Sequence, residues 1–113
     1  EEPFIINSNK CLAYHTLENR DKELPKNIIN KMGNWVAGCD ICQEVCPWNQ
    51  KNIPITSEPD LQPSEWILKL SKKEALKWSD KEWSENLNSS ALRRIKPWMW
   101  RRNIKSISNN QKT

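Results

Sequence analysis

The stretch Gly38-Cys39-Asp40-Ile41-Cys42-Gln43-Glu44-Val45-Cys46-Pro47-Trp48-Asn49 decides how this chain is read. Two cysteines three apart, followed by a third four further on, can turn their thiolates toward one inorganic centre from a tight turn leading into a helix. The proline directly after the last cysteine ends the bacterial ferredoxin run, in which that final cysteine ligates the other cluster of a pair. The first member of the run is missing locally. Cys11, 28 residues upstream of Cys39, must supply it.

Three chemistries compete for these cysteines. A disulfide framework is disfavoured, because Glu1-Glu2-Pro3 is acidic and no apolar run follows it to make a secretory signal. Structural zinc, held by all four cysteines or by three of them with His15, is chemically open. Zinc sites usually pair two knuckles, whereas the x3-Cys-Pro ending is an iron–sulfur habit, so iron–sulfur is favoured. His15 is the sole histidine of the chain and reads first as a surface or helix-packing residue.

Composition explains why such a chain needs a staple. Its 113 residues suit one ordinary domain, and only 36% are hydrophobic. Leu, Ile, Val and Phe make up about a fifth of the chain, near the level where disorder sets in. Seven tryptophans oppose that tendency, since each buries a large area at modest rotamer cost. A core this lean gains from cysteine chemistry. No apolar run approaches the roughly 18 residues that span a bilayer, so no membrane span and a cytoplasmic location are expected. The chain lacks an initiator Met and meets a cysteine almost at once, so it reads as the downstream part of something longer.

Two segments are expected, 1–56 and 57–113. The first is the second half of a ferredoxin-type 4Fe–4S domain, with a short strand at Phe4–Asn7. A helix starts near Pro25, is loosened by Gly33 and ends at Gly38. Pro54, Pro59 and Pro63 punctuate a linker. Beyond it the chain is helical: Ser71 with Glu74 and Ser79 with Glu82 have capping-box spacing. Trp66 with Leu70 and Trp83 with Leu87 are apolar pairs four apart that belong in a core. Pro97 interrupts Ala91–Lys96 and starts a last helix, Trp98 to Ser108. The fold class is mainly α: a ferredoxin-like iron–sulfur half-domain followed by a helical C-terminal tail.

Charge divides along the same line. Residues 1–56 carry 6 basic and 7 acidic side chains, residues 57–113 carry 12 and 7, and the last 23 residues hold seven Lys/Arg and no acid. Such an end suits a polyanionic partner; solvated helix faces are the plainer alternative.

Cys11-Leu12-Ala13-Tyr14-His15-Thr16-Leu17-Glu18, Leu24-Pro25, the run from Gly33 to Asn49 and Ser90-Ala91-Leu92-Arg93-Arg94-Ile95-Lys96 closely resemble the epoxyqueuosine reductases. That resemblance implies a tRNA epoxyqueuosine(34) reductase, which turns the epoxide of a modified wobble base into the alkene of queuosine. Electrons would pass singly through two 4Fe–4S clusters to cobalamin, and the cofactors would carry the hard chemistry. It also implies that Cys11, Cys39 and Cys42 ligate one cluster and Cys46 the other, with the four remaining ligands in an upstream segment. Asp40 and Ile41 match the turn that contacts cobalamin, and Ala13 stands where the family usually has serine, which removes a hydroxyl near the cofactor.

Arg93, Arg94, Lys96, Arg101, Arg102 and Lys105 are the candidates for phosphate contacts on tRNA. Trp98 and Trp100 are candidates for stacking on bases, with packing of the last helix expected for at least one of them. The further partners implied are a missing N-terminal domain, or a partner chain supplying it, and an electron donor such as flavodoxin or ferredoxin. No catalytic residue is expected within this chain, because the cobalamin domain lies outside it. Two other functions fit the residues less well: a stand-alone 4Fe–4S electron carrier, and a zinc-stapled RNA-binding module.

Overall fold

The computed structural model describes residues 2–111, so Glu1, Lys112 and Thr113 of the two expected segments lie outside the described residues. The chain folds into short helices joined by turns: α1 Leu12–Leu17, α2 Lys26–Ile29, α3 Ile41–Glu44, α4 Glu65–Lys69, α5 Lys72–Lys77, α6 Asp80–Asn86 and α7 Pro97–Asn110. No strand occurs among the described residues, in keeping with the mainly α class. The strand expected at Phe4–Asn7 does not form: a turn at Pro3–Phe4 leads into the irregular stretch Ile5–Asn7. Phe4 takes φ 66°, and the Ile5 N–H donates to the Glu2 carbonyl at 3.3 Å. Three apolar residues with no partner strand cannot satisfy an extended backbone.

The helix expected from Pro25 to Gly38 is also shorter than its sequence pattern. It ends at Ile29, and Gly33 and Gly38 lie in the loop beyond it with φ of 54° and 75°. Past Asn30 the chain is turned rather than helical, and Met32 is drawn into the core by that turn.

Both capping boxes form. Ser71 and Ser79 each accept from the backbone N–H three residues on, at 3.2 Å, while Glu74 and Glu82 accept from the cap residue's own N–H. Each box satisfies two helix-end donors in a helix too short to be stable alone. Between Gln50 and Ser64 the chain is exposed, broken only by a 3₁₀ turn at Pro59–Leu61.

α7 is the spine. Met99, Trp100 and Ile104 enter one cluster with Ala75, Trp83, Leu87 and Ile95. Ile107 enters a second with Leu12, Leu24, Ile28 and Met32, and Cys39 packs against that second cluster. The expected pair Trp83 and Leu87 is buried, while Trp66 and Leu70 pack partly buried against the same core. Four indoles run through it in sequence: Trp66 meets Trp78 at 5.6 Å, Trp78 meets Trp83 at 4.7 Å and Trp83 meets Trp100 at 4.8 Å between ring centroids. With so few aliphatic residues, these rings supply much of the buried apolar area. Among the described residues no helix is long and apolar enough to cross a membrane.

Candidate metal centre

Cys11 precedes the first turn of α1, and its carbonyl accepts from the His15 N–H at 3.3 Å. Cys39 follows Gly38, whose left-handed φ suits a residue without a Cβ. The Gly38 N–H donates to the Thr16 hydroxyl at 3.0 Å, so the cysteine loop is bonded directly to the helix that Cys11 opens. Thr16 Oγ1 in turn donates to the Leu12 carbonyl at 2.9 Å. Cys42 sits in the exposed helix α3, and Cys46 is half-buried at its end. The Asp40 carbonyl accepts from the N–H groups of Gln43 and Glu44 at 2.9 and 2.8 Å, which closes the turn between Cys39 and Cys42. Asp40 and Ile41 are both exposed there.

The chemistry of this donor set fits an iron–sulfur cluster. All four cysteines are free thiols, and thiolate is the donor such clusters require. Among the described residues they do not gather, with or without His, Asp or Glu, into a group of three or more that would hold an ion. His15 is buried within α1, as a packing residue would be. One ring nitrogen lies 2.8 Å from the Asn9 carbonyl and the other 3.0 Å from the Asn19 carboxamide. Neither nitrogen is left for zinc.

Large apolar side chains of the cysteine segment itself are uncovered: Trp48 is 91% exposed, and Ile41 and Val45 are exposed with it.

The basic tail separates into two groups. Arg102 was expected on an RNA face, but it is buried, and its guanidinium donates to the carbonyls of His15, Asn19 and Asp21 at 3.0, 2.7 and 2.7 Å. Its fork is fully used inside the protein, so it is a structural residue. Burial lowers its pKa, offset in part by Asp21. Arg101 is likewise committed, donating to the Trp78 carbonyl at 2.9 Å and pairing with Asp80 at 2.7 Å. These two bonds tie the corner between α5 and α6 to the spine.

Arg93, Arg94 and Lys96 remain exposed on the rim of a cleft of about 380 Å³, walled by Trp83, Leu87, Ile95 and Pro97. Arg94 pairs with Glu18 at 2.8 Å, an exposed pair that water screens. Lys105 is exposed further along α7. Trp100 is buried, which assigns it to packing, and Trp98 is 40% exposed with the Arg102 guanidinium 5.3 Å from its ring centroid.

Residues 1–49 match the model of a 4Fe-4S double cluster binding domain, which supports cluster binding by this half. A protein from Prochlorococcus marinus (strain NATL2A) named epoxyqueuosine reductase is 77% identical over 108 residues, covering 96% of this chain and 35% of that protein. Relatives of the same name are 57% identical in Synechococcus sp. (strain CC9605), over 90% of this chain and 32% of the relative, and 48% identical in Synechocystis sp. (strain ATCC 27184 / PCC 6803 / Kazusa), over 93% and 36%. The chain is related to the epoxyqueuosine reductases. It spans about a third of the length of the curated relatives it matches. No solved structure matches it. The relationship to the epoxyqueuosine reductases covers the cysteine turn and the basic segment at Ser90–Lys96 together, since the matched length takes in nearly the whole chain.

Sequence reasoning missed Thr16 and Asn103, the two polar residues that hold the cysteine segments to the spine. A signal for Asn103 was present. It falls four residues after Met99 and four before Ile107, on the apolar stripe of α7, where a polar group is retained only with its hydrogen bonds satisfied.

Proposed function

We propose that this chain is the iron–sulfur and tRNA-contacting part of an epoxyqueuosine reductase, which reduces epoxyqueuosine to queuosine in tRNA. The observation that carries this is the set of free thiols Cys11, Cys39, Cys42 and Cys46, arranged as a turn bonded to a helix, in a chain so close to proteins of that name. Bound, the clusters supply single-electron transfer to cobalamin.

This chain's own residues do three things in that scheme. Cys11, Cys39 and Cys42 would hold one cluster, and Cys46 would reach to its neighbour. Asp40, Ile41 and the exposed apolar side chains Val45 and Trp48 would meet the cobalamin-bearing part and exclude water from the space between. Arg93, Arg94 and Lys96 would neutralise phosphates of the tRNA, contributing affinity without reading sequence.

The test uses the full-length protein carrying this sequence, reconstituted without oxygen. Iron, acid-labile sulfide and zinc are counted, and tRNA nucleosides are analysed by mass for loss of epoxyqueuosine. About four iron and four sulfide per cubane, with turnover lost in Cys39→Ser and Cys46→Ser, are expected. Zinc without sulfide, or undiminished turnover in both serine variants, would sink the assignment.

A further inference from the structure

Two of the four cysteines are tied to the core and two are not. Asn103 makes the difference. It is fully buried, at 0% exposure, in the middle of α7. Its Nδ2 donates to the Thr16 carbonyl at 3.0 Å and to the Val36 carbonyl at 2.9 Å. Its Oδ1 accepts from Nε and Nη2 of Arg102, at 3.1 and 3.0 Å. Thr16 belongs to the helix that Cys11 opens, and Val36 lies in the loop that delivers Cys39. One carboxamide therefore bridges the two cysteine-bearing segments, and the Gly38–Thr16 bond closes the same junction from the other side. Arg102 locks the end of α1 by holding the carbonyls of His15 and Asn19.

Among the described residues, the turn bearing Cys42 and Cys46 has no such anchor. No residue of α3 is buried. The side-chain bonds holding it stay within the turn itself: Asn49 Nδ2 donates to the Gln43 carbonyl at 3.0 Å, and Gln50 Nε2 to the Cys46 carbonyl at 3.2 Å.

We infer that Asn103 is a positioning residue for the cluster: it fixes Cys11 relative to Cys39, while Cys42 and Cys46 adjust to the iron. The chemistry explains why an amide stands there. The junction needs two N–H donors for two carbonyls and one acceptor for the Arg102 fork, all in one plane. Aspartate presents oxygen to both carbonyls, and leucine leaves both without a donor. A shift of either segment would move a thiolate, and residues that orient metal ligands affect metal retention far more than their own contacts suggest.

The role rests on the cluster-holding assignment, and the experiment separates the two. In the full-length protein, iron release to a ferrous chelator is followed anaerobically for wild type, Asn103→Asp, and a core variant such as Ile104→Val or Ile104→Ala, chosen to match its loss in denaturation midpoint. Asn103→Asp is expected to lose iron about ten- to a hundredfold faster than wild type, with an altered electron paramagnetic signal of the reduced cluster, while the matched core variant keeps the wild-type rate and signal. Equal rates in the two variants at equal stability would overturn the role. Should Asn103→Asp not fold, Thr16→Val, which removes the acceptor for Gly38, is judged by the same comparison. Wild-type protein that takes up neither iron nor sulfide would overturn the cluster assignment and this role together; wild-type protein that holds its cluster, with equal rates in the two variants, would overturn the role alone.

Discussion

Trp83 of α6 and Trp100 of α7 stack face to face, with ring centroids 4.8 Å apart and planes within 10° of parallel. The two rings are 2% and 7% exposed, and neither indole N–H finds a protein acceptor. Their contribution is therefore burial and dispersion rather than hydrogen bonding. Because the stack joins the helical tail to the spine that also clamps the cysteine segments, its loss should be felt in both halves.

Trp100→Ala is expected to cost about 3–5 kcal/mol, the usual cost of deleting a large buried aromatic ring. Trp48→Ala, removing a ring that is 91% exposed, should stay within about 0.5 kcal/mol. Urea unfolding midpoints with unchanged slopes would check both. A Trp100→Ala loss no larger than that of Trp48→Ala would show that the tail does not depend on the stack.

Arg102→Gln should destabilise without touching tRNA affinity. The guanidinium serves three backbone carbonyls and the Asn103 side chain, and a shorter neutral amide cannot reach all four. Charged-donor hydrogen bonds contribute about 1.5–3 kcal/mol each, so a loss of about 3 kcal/mol is expected in chemical denaturation. Arg102→Lys should rescue only part of it, since an ammonium lacks the planar fork. A stable Arg102→Gln protein with weakened tRNA binding would return this residue to the RNA face.

Much of the candidate site was legible before the structure, and the boundary has a physical cause. The Cys39–Pro47 spacing is read from the sequence alone, whereas both capping boxes and the Trp83–Leu87 pair are local patterns that the fold keeps. Arg101 and Arg102 were indistinguishable from Arg93 by composition. Whether a cation faces solvent or a distant carbonyl depends on contacts such as that between Arg102 and His15, 87 residues apart in sequence. Phe4-Ile5-Ile6 misled for the same reason, because a strand needs a partner that three residues cannot specify.

Acid should loosen the N-terminal cap of α5. The Glu74 carboxyl is held below its ordinary value of 4.5, first by the Ser71 hydroxyl and then by the Ser71 backbone N–H. A carboxyl depressed in the folded state stabilises fully above its unfolded value, and that contribution is lost as pH falls through the folded value. Glu74→Gln, which still offers an oxygen to the cap, is expected to flatten the acid limb of stability below pH about 4.5 while changing little near neutrality. Thermal midpoints between pH 3 and 7 would show it; parallel curves for the two proteins would rule it out.

Arg93 and Lys96 should carry the salt dependence of tRNA binding. Both are exposed on the rim of the cleft beside Trp83, whereas Arg101 is tied to Asp80 and Arg102 is buried. Each phosphate neutralised releases counterions, so the slope of log K against log salt falls in magnitude by about 0.7–0.9 for each contact removed. The double variant Arg93→Gln/Lys96→Gln is expected to lower the slope by about 1.5 and to weaken tRNA with any anticodon alike, because phosphate contacts hold no sequence information. Lys73→Gln, an exposed cation of α5 that does not line the cleft, serves as the control and should leave the slope unchanged. If the two proteins show equal slopes, the cleft is not where the RNA backbone lies; if wild type binds tRNA with no salt dependence at all, the basic end has no electrostatic part in binding.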